Sequence, residues 1–254
     1  MSWRKQDYDI IIKEFENDIC PVCGKALKLH MPIELKYCLR KSKTRVNFSG
    51  GGEGISGDRI SFPESNKSYC VGIVDIVIST KIIALLNKSK ICQYYSVFLN
   101  SMASIIREHG GVVVKNIGDS LLYYFPKTSD PTDIKSFIDV IECGMRMINA
   151  HGVLNSKMQS DGLPYVDYRI SFDYGIVMVA KLVNSSNDDI FGSTVNLCSK
   201  IVTFAKPNTM VIGGDLYHVV KSFEEYQFES ISEYQNGLKI LYPIYCVKHK
   251  RTDT

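Results

Sequence analysis

The stretch HGGVVVKNIGDSLLYYF, residues 109–125, decides how the middle of this chain folds. Two glycines end any helix before it, and two runs of β-branched and aromatic residues flank a Gly-Asp pair. This pattern predicts a β-hairpin with its turn near Gly118 and Asp119. Asp119 would then stand clear of the core, where a carboxylate can bind a divalent cation. Because one carboxylate holds magnesium poorly, a second acidic residue should lie nearby in the fold.

That second carboxylate is predicted on a buried strand. The run YCVGIVDIVI, residues 69–78, is apolar apart from Asp75, which suits a strand covered on both faces. A buried carboxylate is unfavourable unless a cation compensates it. In a strand–helix–strand–strand unit the first strand lies beside the hairpin, so Asp75 and Asp119 would converge on two divalent cations that hold a triphosphate. Alternatively, Asp75 caps the following helix and Asp119 is an ordinary turn residue.

The remaining hydrophobic pattern predicts an α+β fold in which helices cover a sheet. Predicted helices cover 80–109, 133–151, 193–205 and 215–223, the last capped by Asp215. Predicted strands are the hairpin 111–125, a strand pair over 165–180 that pivots at Asp173 to Gly175, and strands over 210–214, 226–231 and 238–248.

The N-terminal part differs in composition from the rest. Residues 1–48 combine an amphipathic start, the sequence CPVCG (20–24) and a basic stretch, which predicts a regulatory, dimerising or partner-binding unit. Four residues there are candidate ligands of a structural zinc ion: Cys20, Cys23, His30 and Cys38. The alternative is a helical hairpin with incidental thiols. The glycine-rich residues 49–66 predict a linker, and 67–254 form the main domain.

Composition limits the other classes of function. With 22% charged residues and a net charge of +3, the chain has no general affinity for nucleic acid or membranes. The first residues do not form a signal peptide and no apolar run is long enough to span a bilayer, so a cytoplasmic protein is expected. Five cysteines lie in apolar or helical segments and are expected to be reduced and structural: Cys70, Cys92, Cys143, Cys198 and Cys246.

Three ordered motifs resemble the class III nucleotidyl cyclase family, the adenylate and guanylate cyclases, over residues 67–250. VDIVIST (74–80) is similar to the first metal-aspartate motif of the family and HGGVVVKNIGDSLLYYF (109–125) to the second. DDIFGSTVNLCSK (188–200) is similar to the motif that holds base-reading and transition-state residues. The resemblance implies a ferredoxin-like βαββαβ core with extra strands and helices, which works as a homodimer with its active sites at the interface.

The resemblance also implies a cofactor and a substrate. Two Mg²⁺ or Mn²⁺ ions would be held by Asp75, Asp119 and the backbone carbonyl of Ile76. In the family, lysine and aspartate at two base-reading positions accompany adenine, whereas glutamate and cysteine accompany guanine. Lys115 and Asp189 occupy these positions, and their donor and acceptor groups suit adenine. Alternatively, they are a surface lysine and part of a solvated acidic loop.

Four further residues match substrate-binding or transition-state positions. Asn196 would orient the ribose, and Lys200 takes the place of the arginine that stabilises charge on the α-phosphate, unless both belong to a polar helix surface. Lys239 corresponds to the lysine that contacts the phosphates, and Thr80 ends the first motif and is expected to bind substrate. Before this threonine the family has glycine and phenylalanine, where this chain has Ile78 and Ser79.

These assignments predict an adenylate cyclase that makes cyclic AMP and pyrophosphate from ATP. A β-branched residue in place of glycine restricts the turn before Thr80, and lysine in place of arginine lacks the bidentate fork. Two alternatives therefore stay open. One is a catalytically weak or inactive cyclase-like module that binds nucleotide or a signalling partner, and the other is a cyclase for another nucleotide.

Overall fold

The structure is a computed structural model that describes residues 60–61, 67–182, 188–235 and 241–250. The predicted N-terminal unit and most of the predicted linker lie outside these ranges. The same holds for five residues with predicted ligand or substrate roles: Cys20, Cys23, His30, Cys38 and Lys239.

The described chain contains nine strands, five α-helices and two 3₁₀ turns. The strands are β1 Ile60–Ser61, β2 Lys67–Ile76, β3 Val112–Ile117, β4 Ser120–Phe125, β5 Tyr168–Leu182, β6 Asp188–Phe191, β7 Met210–Gly213, β8 Tyr226–Gln235 and β9 Leu241–His249. The helices are α1 Ser79–Ile83, α2 Lys88–Glu108, α3 Ile134–Ser160, α4 Ser193–Ile201 and α5 Gly214–Val220. Short 3₁₀ turns at Pro126–Ser129 and Val202–Phe204 follow β4 and α4.

The strands form one sheet in the order β3-β4-β2-β5-β7-β9-β8, and β1 and β6 pair with β5 outside this path. Within the path, β5 and β7 are parallel and the other neighbours are antiparallel. The unit β2-α2-β3-β4-α3-β5 is a ferredoxin-like βαββαβ core, so the predicted fold class is confirmed. The hairpin strand β4 lies beside β2, which places the turn of the hairpin next to the end of β2.

Helices cover both faces of β2, as its apolar run predicts. On one face, α2 and α3 bury large side chains such as Phe98 and Phe137 in the main core. On the other face, α4 packs Cys198 against a smaller cluster that includes Val71 and Ile73. Because α4 has only nine residues, it covers this second face only in part.

The predicted helix over 80–109 is in fact two helices. The first ends at Ile83, and Asn87 begins the second by accepting a hydrogen bond from the Lys90 N–H at 3.0 Å. The apolar spacing of Ile83 and Leu86 continues across the break, so periodicity alone does not show it. The decisive signal is the asparagine, whose side chain favours helix N-termini.

The predicted strand pair over 165–180 is a single strand, β5. Asp173 and Gly175, at the predicted pivot, pair with β2 as part of a continuous ladder. Gly175 is required for a different reason, because a Cβ there would lie 2.7 Å from Thr194 Oγ1 of α4. This glycine permits close packing of a helix and does not mark a turn.

Asp173 is fully buried at the N-terminus of α5. The N-cap residue of that helix is Gly213, so Asp215 lies in the first turn and the prediction that it caps the helix is wrong. Asp173 accepts hydrogen bonds from the Tyr174 N–H at 2.9 Å and from the Tyr242 hydroxyl at 2.8 and 3.0 Å. The Tyr242 oxygen in turn accepts from the Asp215 N–H at 2.9 Å. The buried carboxylate and the tyrosine thus join β5, β9 and the start of α5.

Burial raises the pKa of Asp173 from 3.8 to about 7, and the hydrogen bond from Tyr242 opposes this only in part. Since the folded protein holds this proton more tightly than the unfolded chain, the free energy of unfolding should fall as the pH rises from about 4 to about 7 and then level off, a loss on the order of 4 kcal/mol. Asp173→Asn should lack this loss. Urea denaturation of both proteins across this pH range measures the difference, and parallel profiles would contradict the expectation.

Candidate active site

Two acidic residues lie at one corner of the sheet. Asp75 is opposite Ser120 in the ladder between β2 and β4, and Ser120 directly follows Asp119 in the hairpin turn. Gly118, the other turn residue, has a φ of 64°, which glycine adopts without strain. Strand pairing therefore brings the backbone of Asp75 and Asp119 to the same hairpin corner.

Asp75 has a counter-ion that the sequence analysis missed. Arg169 lies opposite Asp75 in the ladder between β2 and β5; its Nε donates to Asp75 Oδ2 at 2.9 Å, and its Nη2 forms an ion pair with the same oxygen, also at 2.9 Å. Ser120 Oγ donates to Asp75 Oδ1 at 2.5 Å. Since the Asp75 side chain is only 13% exposed, the guanidinium compensates a carboxylate that would be unfavourable to bury alone. The signal was an arginine at the start of a largely apolar strand, but its partner becomes evident only when the register is known.

The helix after β2 begins in an unusual way. Its N-cap residue is Ile78, and no side chain caps it, so the alternative that Asp75 caps this helix is wrong. Ile78 has φ 53° and ψ 27°, a left-handed conformation that is rare for a β-branched residue. Its side chain is 62% exposed, so core packing does not explain this conformation. The strained residue follows the metal-ligand candidates Asp75 and Ile76 by three and two positions.

The donor atoms at this corner suit magnesium or manganese. Asp75 and Asp119 supply carboxylate oxygens, and Ile76, whose side chain is a hydrocarbon, can offer only its backbone carbonyl. A carboxylate has about four lone-pair sites, and hydrogen bonds from Ser120 and Arg169 use two of those on Asp75. No cluster of three or more His, Cys, Asp or Glu residues occurs in the described part of the chain. Ions held here would therefore complete their shells with water and substrate oxygens, as magnesium commonly does.

Lys115 and Asp189 are in direct contact although 74 residues separate them. Lys115 Nζ donates to Asp189 Oδ2 at 2.5 Å, and Asp189 Oδ1 accepts from the Ile190 N–H at 2.8 Å. The lysine side chain is 43% exposed and the aspartate 17%. A strong donor and a strong acceptor thus form one unit at the surface, rather than a lone surface lysine and a separate solvated loop.

Lys115 lies on the same face of the sheet as Asp75. It is opposite Leu122 of β4, which is opposite Ile73 of β2, two residues before Asp75. An offset of two strands and two residues corresponds to about 12 Å between the Cα atoms of Lys115 and Asp75. This is the face that α4 covers only in part, so both groups adjoin an accessible surface.

The other predicted site residues lie on helices. Asn196 and Lys200 are exposed one turn apart on α4, whose opposite side buries Cys198 against the sheet. Thr80 is exposed in the first turn of α1, close in sequence to Asp75. Within the described ranges, no helix combines the length and apolar character needed to cross a bilayer.

Comparison with known proteins extends these observations. A family model described as the adenylate and guanylate cyclase catalytic domain matches residues 63–240. A search of curated protein sequences found no match.

Solved structures of low sequence identity share the fold. The adenylyl cyclase CyaB from P. aeruginosa is 21% identical and aligns over 75% of this chain and 98% of its own, with a TM-score of 0.66. The guanylyl cyclase Cya2 is 20% identical over 74% of this chain and 95% of its own, with a TM-score of 0.65. The catalytic core of a rhodopsin-guanylyl cyclase with converted specificity, in complex with ATPalphaS, is 17% identical over 77% of this chain and 100% of its own, with a TM-score of 0.60.

The strain at Ile78 leads to a stability prediction. Ile78→Gly should raise the free energy of unfolding by about 1 kcal/mol, because relief of the left-handed strain exceeds the extra entropy of glycine in the unfolded chain. Ile78→Ala is the matched control, since it removes the exposed side chain but keeps the Cβ. The urea midpoint measures both effects. An equal gain in both variants would instead indicate that exposure of the side chain was the unfavourable feature.

Proposed function

This chain belongs to the family of adenylate and guanylate cyclase catalytic domains, and from this premise we propose that it is an adenylate cyclase. It converts ATP to cyclic AMP and pyrophosphate. The observation that carries the choice of ATP is the contact between Lys115 Nζ and Asp189 Oδ2 at 2.5 Å. The solved structures with this fold include adenylyl and guanylyl cyclases, so the choice of base must come from individual side chains and not from the fold.

Hydrogen-bond chemistry favours adenine at this pair. Lysine is only a donor and an ionised aspartate only an acceptor. The exocyclic amine of adenine donates to Asp189, and a ring nitrogen of the same base accepts from Lys115. Guanine presents a carbonyl oxygen where adenine has its amine, so the Asp189 carboxylate would face another acceptor. Leaving these buried or half-buried groups unmatched disfavours the wrong base.

Divalent cations fit the corner formed by β2 and the hairpin. Cyclases of this class generally use two such ions, and Asp75, Asp119 and the Ile76 carbonyl would hold them. When bound, the ions supply positive charge to the α-phosphate and to the departing pyrophosphate. Arg169 keeps Asp75 oriented, since its guanidinium binds one carboxylate oxygen while Ser120 binds the other.

The reaction is an intramolecular substitution at phosphorus. The ribose 3′-oxygen forms a bond to the α-phosphorus, the bond from phosphorus to the pyrophosphate oxygen breaks, and the hydroxyl proton passes to solvent. Asn196 orients the ribose, and Lys200 offsets negative charge that develops on the α-phosphate. Thr80 and Lys239 bind the substrate near its phosphates. Because lysine lacks the planar fork of arginine, Lys200 gives less directional stabilisation than arginine would.

We expect a cytoplasmic homodimer in which each active site uses both chains. Asp75 and Asp119 of one protomer face Lys115 and Asp189 of the other. Two exposed apolar side chains adjoin the metal-ligand candidates in sequence or in the sheet, Ile78 at 62% and Ile117 at 50% exposure, and a second copy would shield them from water. The N-terminal unit would serve regulation through a partner, through dimerisation or through structural zinc.

A second candidate function is a cyclase-like module that binds nucleotide with little turnover. The observation that favours it is the left-handed Ile78, which places a Cβ where glycine would let the backbone approach phosphates closely. Nucleotide binding without product would distinguish this module from an enzyme.

Product analysis is the direct test. Purified protein is incubated with Mn²⁺ and each of ATP, GTP, CTP and UTP, and we expect cyclic AMP as the main product. Asp119→Ala should lower its rate at least about 100-fold, because a metal ligand is lost. Asp139→Ala, on the distant helix α3, is the matched control and should retain the rate. A different cyclic nucleotide would overturn the choice of ATP, and nucleotide binding without any product would favour the binding module.

Mixed dimers test whether the site is shared. Chains carrying Asp75→Ala and chains carrying Lys115→Ala should each be nearly inactive alone, because each homodimer lacks one group in both sites. After mixing, one intact site per mixed dimer is expected, which gives up to about a quarter of the wild-type rate if the chains assort randomly and the two sites act independently. Rates that stay at the level of the separate variants, although exchange of labelled chains is observed, would contradict the shared site.

A further inference from the structure

A β-bulge directs Lys115 to the accessible face of the sheet. Val112 and Val113 pair with Tyr124 and Tyr123, but the next pair is Lys115 with Leu122, so Val114 is an extra residue. Without this bulge, continuation of the register would place Lys115 opposite Leu121, whose side chain belongs to the core beneath α2 and α3. Bulges re-aim side chains in this way and occur often next to active sites. The β-bulge in β3 therefore determines on which face of the sheet the Lys115 side chain lies.

Strand β6 then holds the ammonium group from two sides. Asp189 and Phe191 are two residues apart on this strand, so their side chains point to the same side. Lys115 Nζ is bonded to the carboxylate and lies 5.6 Å from the centroid of the Phe191 ring. That distance is within the range of cation–π attraction. The aromatic ring is 37% exposed, so it adjoins the surface at which a nucleotide would bind.

Both contacts restrict a side chain that would otherwise have many rotamers. A lysine that is 43% exposed, as Lys115 is, ordinarily samples several positions of its ammonium group. The Asp189 carboxylate alone fixes only the distance between its oxygen and the Lys115 ammonium, whereas the Phe191 ring attracts the ammonium from a second direction. Asp189 is itself fixed, because its other oxygen accepts from the Ile190 N–H. Lys115 is thus held before any substrate arrives, which lowers the entropy lost on binding.

We propose that Phe191 is a specificity-determining residue that acts through Lys115, by holding the lysine ammonium where it reads the edge of the purine. The inference rests on the proposed function in taking Lys115 as the base-reading donor. It goes beyond that function by assigning a positioning role to an aromatic residue that the sequence analysis left without one.

The first test needs no catalysis. In nucleotide-free protein with ¹³C-labelled lysine, the ε-methylene protons of Lys115 should show an upfield ring-current shift, and the signal is assigned by its loss in Lys115→Gln. Phe191→Leu should abolish the shift and Phe191→Trp should retain it. Met178→Leu alters the residue opposite Phe191 in the ladder and is the matched control, which should leave the shift in place. An unshifted Lys115 signal in the wild-type protein would overturn the proposal.

The second test is a double-mutant cycle on base preference. Phe191→Leu should lower the ratio of kcat/KM for ATP over GTP about two- to fivefold, through KM more than kcat, and Phe191→Trp should restore most of it. Because Lys115→Ala is expected to turn over slowly, the ratio of dissociation constants for ATP and GTP with Mn²⁺ is measured for all four proteins, and in the Lys115→Ala background the change at Phe191 should leave this ratio unaltered. An equal effect in both backgrounds would show that the ring does not act through Lys115 and would overturn the proposal.

The two hypotheses fail in different ways. If the wild-type protein forms no cyclic nucleotide, the proposed function fails, and the same cycle is measured on dissociation constants for ATP and GTP in the presence of Mn²⁺. If the wild-type protein prefers GTP, the choice of ATP fails, while the cycle still decides whether Phe191 acts through Lys115. Retention of the wild-type ratio in Phe191→Leu overturns the role of Phe191 whichever nucleotide is preferred.

Discussion

A carboxylate in the central buried strand sets the strictest condition on this fold. Asp75 lies in a strand that helices cover on both faces, so it needs a positive charge and hydrogen-bond donors nearby. Strand pairing supplies both in one row across the sheet, with Ser120 of β4 on one side and Arg169 of β5 on the other. Because a shift of one residue would move either partner to the opposite face, this row specifies the register of three strands together. Ser120, at one end of this row, directly follows Asp119 in the turn of the hairpin.

Local patterns predicted the core elements well, and long-range contacts only in part. The strand β2 and the hairpin follow from alternation and turn residues within a few positions, and helical spacing predicts the start of α3, although the helix continues nine residues past the predicted end at 151. The ferredoxin-like class was confirmed from the order of these elements. The single strand β5 was mistaken for a pair because Asp173 and Gly175 are typical of turns, whereas both are there for contacts with other elements. Arg169 lies 94 residues from Asp75, so no local pattern could connect them. The pair of Lys115 and Asp189 came from resemblance to the family for the same reason.

Two residues are in locally unfavourable states that contacts with the rest of the fold compensate. Asp173 is a buried acid that is stabilised by Tyr242, and Ile78 is a β-branched residue in a left-handed conformation. In each case contacts of the neighbouring residues hold the unfavourable feature in place. Asp173 lies where β5, β9 and α5 meet. Ile78 follows Val77, whose N–H donates to the Asp167 carbonyl at 2.8 Å. Strained positions of this kind persist only where surrounding contacts over-determine them. The strain at Ile78 adjoins the metal-ligand candidates, whereas Asp173 lies opposite Val71 in the ladder between β2 and β5, four positions from Asp75.

Under the proposed function, one hairpin would carry two chemical tasks that depend on different features of its backbone. Its turn places Asp119 beside Asp75, and this requires a tight corner with a left-handed glycine at Gly118. Its first strand carries Lys115, and this requires the extra residue Val114, because regular alternation would bury the lysine. Under the proposed function, reactivity toward a triphosphate depends on the turn, whereas recognition of the base depends on the bulge and on the side chains of β6. Since these features are separate, substitutions at Lys115 and Asp189, the proposed base-reading positions, are expected to change the preferred nucleotide while the corner of Asp75 and Asp119 and the fold stay the same. This separation gives a physical reason why one fold is shared by solved structures of adenylyl and guanylyl cyclases.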